Sequence, residues 1–168
     1  SKDIVFGIYA EEAVVAEDGT IIPKDGLIEE VGIMPDGTSY KGTFSCDLPH
    51  GSFYVQETAT AEGYHLETAK YPVQFDYTDQ SVAEVQIKVN DGNVIENKLI
   101  RGDVTGRKVG ETGDGLSGAC IGLFHMGENK FTEDTALLTD ISDEEGRFSF
   151  QDVAYGKYIV REINPPAG

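Results

Sequence analysis

Basic residues are scarce in this sequence. Thirteen lysines and arginines stand against 30 aspartates and glutamates, which gives a formal net charge of −17. A surface that binds nucleic acid or an anionic membrane needs clustered lysine and arginine. We therefore expect neither nucleic acid nor membrane as a partner. An acidic surface keeps a secreted protein soluble, and by itself it predicts no cation binding.

Cysteine and long apolar runs are also scarce. Two cysteines, Cys46 and Cys120, are too few for a disulfide scaffold. Each lies in an apolar, strand-like run, so we expect buried free thiols. No apolar run approaches the ~20 residues of a membrane span, and no signal peptide is recognisable. The 168 residues suffice for one large domain or two small ones.

Enzyme, cofactor and metal motifs are absent from the sequence. Its three histidines, His50, His65 and His125, lack the spacing of metal ligands. There is no nucleophile elbow, phosphate loop or H-E-x-x-H. The acidic segment 140–146, DISDEEG, is a weak calcium candidate without EF-hand spacing, and a solvated hairpin turn is the simpler interpretation. We expect no enzyme with turnover, no cofactor and no metal site.

What the sequence does contain is a pattern of short strands. Alternating or apolar runs are separated by five turn signals: EDGT, PDGT, NDGN, TGDG and DEEG. Asp-Gly pairs suit tight hairpins because both residues accept a positive φ. The pattern predicts an all-β protein.

An internal repeat divides the chain. Three segments of the first half return in order in the second: FGIY at 6–9 and IGLF at 121–124, GTFS at 42–45 and GRFS at 146–149, GSFYVQE at 51–57 and GKYIVRE at 156–162. We expect two domains, at 1–100 and 101–168. The first copy begins almost at its FGIY strand, so its opening strand is missing from these residues. The second copy stops soon after GKYIVRE, so its closing strands are missing.

Both copies of the repeated strand end on a carboxylate. Side chains alternate along a strand, so Glu57 shares a face with Phe53 and Val55, and Glu162 likewise follows two apolar residues on its face. A buried carboxylate is costly unless it is protonated or paired. Burial favours a neutral acid that can donate a hydrogen bond. A glutamate at the rim of the sheet stays open as the alternative.

Two more polar residues belong to this constellation. In VIENKL, residues 94–99, alternation places Asn97 on the face of Ile95. In VTGRKV, residues 104–109, Lys108 shares a face with Val104. Either residue alone is more often solvent-facing near a strand end. The combination with the two glutamates is what makes them candidates.

At these residues the sequence resembles the SpaA-like or Cna-B-type domains of Gram-positive pilins and surface adhesins. Five segments carry the resemblance: the lysine strand GDVTGRKVG at 102–110, the turn GLSGA at 115–119, the glutamate motifs FYVQETATAEGY at 53–64 and YIVREINPPAG at 158–168, and the closing segment NVIENKLIRG at 93–102.

The resemblance implies tandem transthyretin-like (Ig-like, Cna-B-type) β-sandwich domains, each truncated at one end. It also implies spontaneous Lys–Asn isopeptide bonds, a single-turnover intramolecular crosslink assisted by a glutamate. Glu57 and Glu162 are then the assisting acids, Asn97 is an acceptor, and Lys108 is a nucleophile. The partner Lys of the first domain and the partner Asn of the second are expected outside the 168 residues. A Lys108–Asn97 bond is conceivable, but the two residues lie in successive domains.

The function implied is a stalk or adhesin module, extracellular and attached to the cell wall, with neighbouring domains or pilin subunits as partners. The alternative is a β-sandwich without crosslinks that binds a glycan or a host matrix protein. Five residues could form an aromatic surface for such a ligand: Tyr64, His65, Tyr71, Phe75 and Tyr77. Alternation through residues 72–77 is explained more simply by a strand.

Overall fold

Strands make up almost all of the regular structure in this computed structural model, which describes residues 3–75 and 88–166. The expected all-β fold class is confirmed. Two compact units, Ser1–Lys98 and Leu99–Gly168, each contain their own hydrophobic core. No helix among the described residues is both long enough and apolar enough to cross a bilayer.

Unit 1 is built on one antiparallel sheet. Its elements are β1 (Val5–Ala10), β2 (Val14–Val15), β3 (Ile21–Ile22), β4 (Leu27–Gly32), β5 (Met34–Asp36), β6 (Ser39–Lys41), β7 (Gly51–Ala59), β8 (Tyr71–Phe75) and a 3-10 helix at Val89–Gly92. The main sheet has the order β4-β1-β7-β8, and β2-β3 and β5-β6 form two small hairpins. The central strands β1 and β7 are two of the repeated segments.

Turn chemistry accounts for both small hairpins. Gly19, in EDGT, has a φ of 83° and connects β2 to β3, and Gly37, in PDGT, has a φ of 62° and connects β5 to β6. Glycine adopts these values without steric cost. The NDGN signal behaves differently, because Asn90 and Asp91 are both left-handed and form the 3-10 turn instead of a hairpin.

The core of unit 1 lies on one face of its sheet. Phe53 and Val55 of β7 are buried there beside two residues of β1, and Leu48 packs against them from outside the sheet. Half-buried side chains of two segments without strand assignment, residues 42–50 and 93–98, complete the cover. The resemblance implied a closing strand over residues 93–102. Residues 93–98 form no strand, and residues 101–102 belong to the next strand of the chain, Arg101–Arg107.

Unit 2 is a two-layer β-sandwich. Its strands are β9 (Arg101–Arg107), β10 (Cys120–His125), β11 (Leu138–Ile141), β12 (Arg147–Ala154) and β13 (Tyr158–Asn164). One sheet has the order β11-β10-β13 and the other consists of β12 and β9. Ile121 and Leu123 from the first sheet pack against Phe150 and Val153 from the second.

Some burial expectations need correction. Cys46 and Cys120 are free thiols, but both are half-buried rather than buried. Val160, placed by alternation on the core face, is 44% exposed, whereas its counterpart Val55 is 4% exposed. The difference arises because β7 is paired on both sides, with β1 and β8, whereas among the described residues β13 is paired with β10 alone.

Candidate functional site

Each repeated glutamate occupies the same position in its sheet. Glu57 lies opposite Phe6 of β1, and Glu162 lies opposite Ile121 of β10. In both pairs the register shifts at the next residue, so a β-bulge follows each glutamate. A bulge bends the strand and re-aims the neighbouring side chains. Sequence alternation gave no sign of these bulges.

In unit 1 the glutamate contacts the predicted asparagine. Glu57 is 2% exposed, and its Oε2 accepts hydrogen bonds from Asn97 Nδ2 and from the backbone N–H of Glu67, both at 2.7 Å. Its Oε1 is buried and meets no hydrogen-bond donor among the described residues. A buried acceptor without a partner is costly, so Oε1 is the atom of this contact whose hydrogen bonding is unsatisfied among the described residues.

The closing segment is held so that Asn97 faces this carboxylate. Asn97 Nδ2 also donates to the backbone carbonyl of His65 at 3.2 Å, and the N–H of His65 donates to the carbonyl of Lys98 at 2.8 Å. Ile95 packs against the core two residues earlier. The alternation that grouped Ile95 with Asn97 therefore describes the orientation of this segment even though no strand forms.

In unit 2 the glutamate contacts the predicted lysine. Lys108 Nζ lies 2.7 Å from Glu162 Oε2, and the two side chains are 28% and 30% exposed. Glu162 Oε1 is buried and, among the described residues, has no hydrogen-bond partner. The carboxylate is less enclosed than Glu57 for the same reason that Val160 is exposed.

The backbone of Lys108 is fixed on both sides. Its N–H donates to the carbonyl of Gly146 at 2.7 Å, and its carbonyl accepts from the N–H of Leu116 at 3.0 Å. Gly146 has a φ of 80°, and a Cβ at this position would collide with the Lys108 carbonyl oxygen. The glycine of the turn DEEG thus allows the close approach that fixes the lysine.

The two units therefore hold complementary pairs. Unit 1 brings together Glu57 and Asn97, and unit 2 brings together Glu162 and Lys108. In each unit one oxygen of the glutamate is engaged and the other lacks a donor among the described residues. Chemically, each pair places a carboxyl group against one of the two reactants of an amide-forming condensation. The reactant is a carboxamide, Asn97, in unit 1 and a primary amine, Lys108, in unit 2.

Two carboxylates of the acidic turn 140–146 accept hydrogen bonds from the protein backbone. Asp140 Oδ2 accepts from the N–H of Ser149, and Asp143 Oδ1 accepts from the N–H of Arg147, both at 2.7 Å. Across the two described ranges, no group of three or more histidine, cysteine, aspartate or glutamate side chains is arranged to hold a metal ion.

The residues considered for an aromatic ligand surface are spread over unit 1. Tyr64 is 39% exposed, and the backbone N–H of His65 binds the closing segment. Tyr71 and Phe75 begin and end β8, as the simpler interpretation of that stretch predicted, and Tyr77 lies outside the described residues.

A polar cluster on the outer face of unit 1 had no signal in the sequence. The Tyr54 hydroxyl donates to Asp25 at 2.8 Å, and Lys70 lies 3.2 Å from the same carboxylate and 4.6 Å from the centre of the Tyr54 ring. The hydrogen bond from Tyr54, followed by that from Lys70, lowers the pKa of Asp25. The cluster joins the β3–β4 loop to β7 and the start of β8.

A second unforeseen contact fixes the 42–50 segment of unit 1. The Glu29 carboxylate accepts from the N–H and hydroxyl of Ser45, both at 2.8 Å, and from the N–H of Cys46 at 2.9 Å. Hydrogen bonds from the Cys46 thiol and from Ser45 lower the pKa of Glu29 to about 2. Burial, reinforced by Glu29, raises the pKa of Cys46 to about 12, so this thiol is a poor nucleophile.

Comparison with known proteins identifies the fold of both units. The SpaA family of prealbumin-like fold domains matches residues 2–93 and again residues 102–168. A search of curated proteins gave no significant match.

Several solved structures are distantly similar to this chain. The Bacillus anthracis TIE protein superposes with a TM-score of 0.55 at 17% identity, over 98% of this chain and 26% of that protein. A streptococcal ancillary pilin matches at 20% identity with a TM-score of 0.36, over 100% of this chain and 50% of the pilin. The shaft pilin SpaA of Lactobacillus rhamnosus GG matches at 17% identity with a TM-score of 0.34, over 100% of this chain and 79% of the pilin. The chain thus spans about a quarter of the length of the TIE protein.

Proposed function

Because the chain belongs to the SpaA family of prealbumin-like fold domains, we propose that it is a stalk or adhesin module of a Gram-positive surface or pilus protein. It acts outside the cell, attached to the cell wall, beside neighbouring domains or pilin subunits. Each unit is closed by a Lys–Asn isopeptide bond that a glutamate assists. The observation that supports this most directly is the pair of half-complete sites, in which each glutamate touches one reactant and has a second oxygen without a donor among the described residues.

The reaction needs no turnover. The neutral lysine amine attacks the Cγ carbon of the asparagine, the Nζ–Cγ bond forms, the Cγ–Nδ2 bond breaks, and ammonia leaves. The glutamic acid donates a proton to the amide, and its carboxylate then accepts one from the attacking nitrogen. Folding supplies the proximity that makes the attack effectively unimolecular. Glu57 and Glu162 serve as this acid in unit 1 and unit 2.

The missing reactants come from segments outside residues 1–168. In unit 2, β12 pairs with β9, the strand that leads to Lys108. The corresponding segment of unit 1, residues 42–50, forms no strand. A lysine-bearing strand placed along this segment would supply a donor to Glu57. In unit 2 a closing segment that carries an asparagine, as residues 93–98 do in unit 1, would cover the exposed Val160 and supply a partner to the Glu162 oxygen that has none among the described residues.

Such bonds suit a protein that carries load. Each bond joins the first strand of a domain to its last segment and closes a loop of about 100 residues. By analogy with a disulfide, the loss of chain entropy alone is worth about 4–5 kcal/mol. Tension that enters at one strand leaves through a covalent bond and does not unzip the sheet.

Intact mass spectrometry of a longer chain that contains both flanking segments tests the proposal. Each bond lowers the mass by about 17 Da, the mass of the ammonia released when lysine attacks the amide. Glu57→Ala and Glu162→Ala should each abolish one of the two losses. Glu67→Gln is the matched control, because Glu67 contacts Glu57 only through its backbone N–H and should leave both losses intact. A wild-type mass equal to that of the unmodified sequence would contradict the proposal.

A further inference from the structure

A buried serine lies within the acidic turn 140–146 of unit 2. Ser142 follows β11 and is 3% exposed. Its hydroxyl donates to the carbonyl of Leu116 at 2.7 Å and accepts from the N–H of Ala119 at 2.9 Å. Its backbone N–H donates to the carbonyl of Ala119, and its carbonyl accepts from the N–H of Gly118, both at 2.9 Å. One residue thus fastens the whole 116–119 loop to β11.

This loop also contacts the lysine. Leu116, which accepts the hydrogen bond from the Ser142 hydroxyl, uses its own N–H to bind the carbonyl of Lys108. Two hydrogen bonds in series therefore connect Ser142 to Lys108. If the first is lost, Leu116 keeps its position only through the remaining loop contacts.

On its other side the loop leads into the strand that faces the glutamate. Ala119 immediately precedes β10, and Ile121 of β10 lies opposite Glu162. The Ser142 hydroxyl therefore bridges the segment that holds Lys108 and the start of the strand that pairs with β13.

Unit 1 offers an internal comparison. Val5 pairs with Gly32 as Cys120 pairs with Ile141, so Ile33 takes the place of Ser142. Ile33 makes the equivalent backbone hydrogen bond, to the carbonyl of Ile4 at 3.2 Å. An apolar side chain thus occupies this position in unit 1, and β1 pairs with β4 without a hydroxyl there.

We propose that Ser142 is a positioning residue of unit 2, which sets the place of Lys108 against Glu162 by fastening the 116–119 loop to β11. The purpose of this positioning rests on the crosslinking function proposed above. The effect of Ser142 on the position of Lys108 can be tested without any crosslink. Ser142 also gives the acidic turn a role other than binding calcium.

The first test measures the accessibility of the Lys108 amine in the 168-residue chain. Amines are acylated under conditions in which circular dichroism shows the chain folded, and the labelling rate of Lys108 relative to the exposed Lys157 is read by peptide mapping. Ser142→Ala should raise this ratio about tenfold, because a buried hydrogen bond that holds the loop is lost. Ser142→Thr, which keeps the hydroxyl, should restore the wild-type ratio.

Three further variants complete the design. Glu162→Gln removes the Lys108–Glu162 ion pair. Its ratio of Lys108 to Lys157 labelling therefore gives the value expected for a released Lys108. Ser149→Ala is the matched control, because this half-buried serine binds Asp140 through its backbone N–H, and it should leave the ratio unchanged. If Ser142→Ala does not fold, Ser142→Cys replaces it, since a thiol is a weak donor and acceptor. A lower melting temperature with an unchanged Lys108 ratio would overturn the inference.

A second measurement separates this inference from the proposed function. In the longer chain, Ser142→Ala should slow the mass loss of unit 2 and leave that of unit 1 unchanged. If the wild-type longer chain loses no mass while Ser142→Ala still raises the labelling ratio, the crosslink is wrong and the positioning role stands. If bonds form at wild-type rates in Ser142→Ala, the positioning role is wrong and the crosslink stands.

Discussion

At the scale of single residues, the two glutamates show how neighbours decide what a repeated side chain does. Glu57 and Glu162 occupy the same place in their sheets, yet Glu57 is enclosed and contacts an amide, whereas Glu162 is partly exposed and contacts an amine. In unit 1 the segment 93–98 brings Asn97 to the carboxylate, and in unit 2 the residue after β9 brings Lys108. In each glutamate the other carboxylate oxygen has no hydrogen-bond partner among the described residues.

Glu29 gives the clearest pH prediction for a single residue. Its pKa falls from 4.5 to about 2 in the folded protein because Cys46 and Ser45 donate hydrogen bonds to it. A depressed carboxyl pKa contributes stability that is fully present above about pH 4.5 and is lost as the pH falls toward 2. We expect Glu29→Gln to lower the melting temperature of unit 1 at pH 7 and to have progressively less effect below pH 4.

Thermal melts of the wild type and the variant from pH 7 to pH 2 check this expectation. Glu30→Gln is a suitable control, since the neighbouring Glu30 is exposed and a surface substitution of this kind usually changes stability little. A difference between wild type and Glu29→Gln that stays constant over the whole pH range would show that the carboxylate contributes through its shape and not its charge.

At the scale of elements, the alternation of side chains was informative wherever a strand or an extended segment is held against a core. It placed Glu57 on the face of Phe53 and Asn97 on the face of Ile95, because that periodicity follows from backbone geometry alone. It said nothing about the β-bulges or about Ser142, because these depend on which distant backbone atoms meet. The exposed Val160 has the same cause, since burial is decided by the partner strand.

Gly146 is a position in the turn before β12 that cannot carry a side chain without strain. Its φ of 80° and its contact with the Lys108 carbonyl both exclude a Cβ. Gly146→Ala should therefore destabilise unit 2 by about 1–3 kcal/mol and raise the labelling of Lys108. Gly127→Ala is the control, because a Cβ there meets no atom within 4 Å.

Urea unfolding monitored by circular dichroism gives the two free energies of unfolding. A Gly146→Ala variant as stable as Gly127→Ala would mean that the turn can shift away from Lys108 without cost, and that the close approach does not fix the lysine.

At the scale of the whole molecule, family and fold class were predictable because they depend on features spread along the chain. The turn signals, the repeated strand and the spaced motifs predicted an all-β, prealbumin-like chain, and the match of the SpaA family to both halves confirms it. The carboxylate oxygens of Glu57 and Glu162 that lack a partner among the described residues were not predictable in the same way, because hydrogen bonding depends on which distant atoms meet in the fold.

Net charge gives a prediction at this largest scale. A formal charge of −17 on 168 residues implies self-repulsion in the folded state. Salt screens charges separated by more than about 10 Å at an ionic strength of 0.1 M, whereas the short Lys108–Glu162 contact is screened less. We therefore expect the melting temperature to rise when the NaCl concentration increases from about 10 mM to about 150 mM, because the screening of charge repulsion increases strongly over this range. Differential scanning calorimetry in NaCl, with KCl at equal ionic strength to exclude an ion-specific effect, measures this change. A melting temperature that falls with salt would mean that attractive pairs such as Lys70–Asp25 and Lys108–Glu162 outweigh the repulsion among the excess carboxylates.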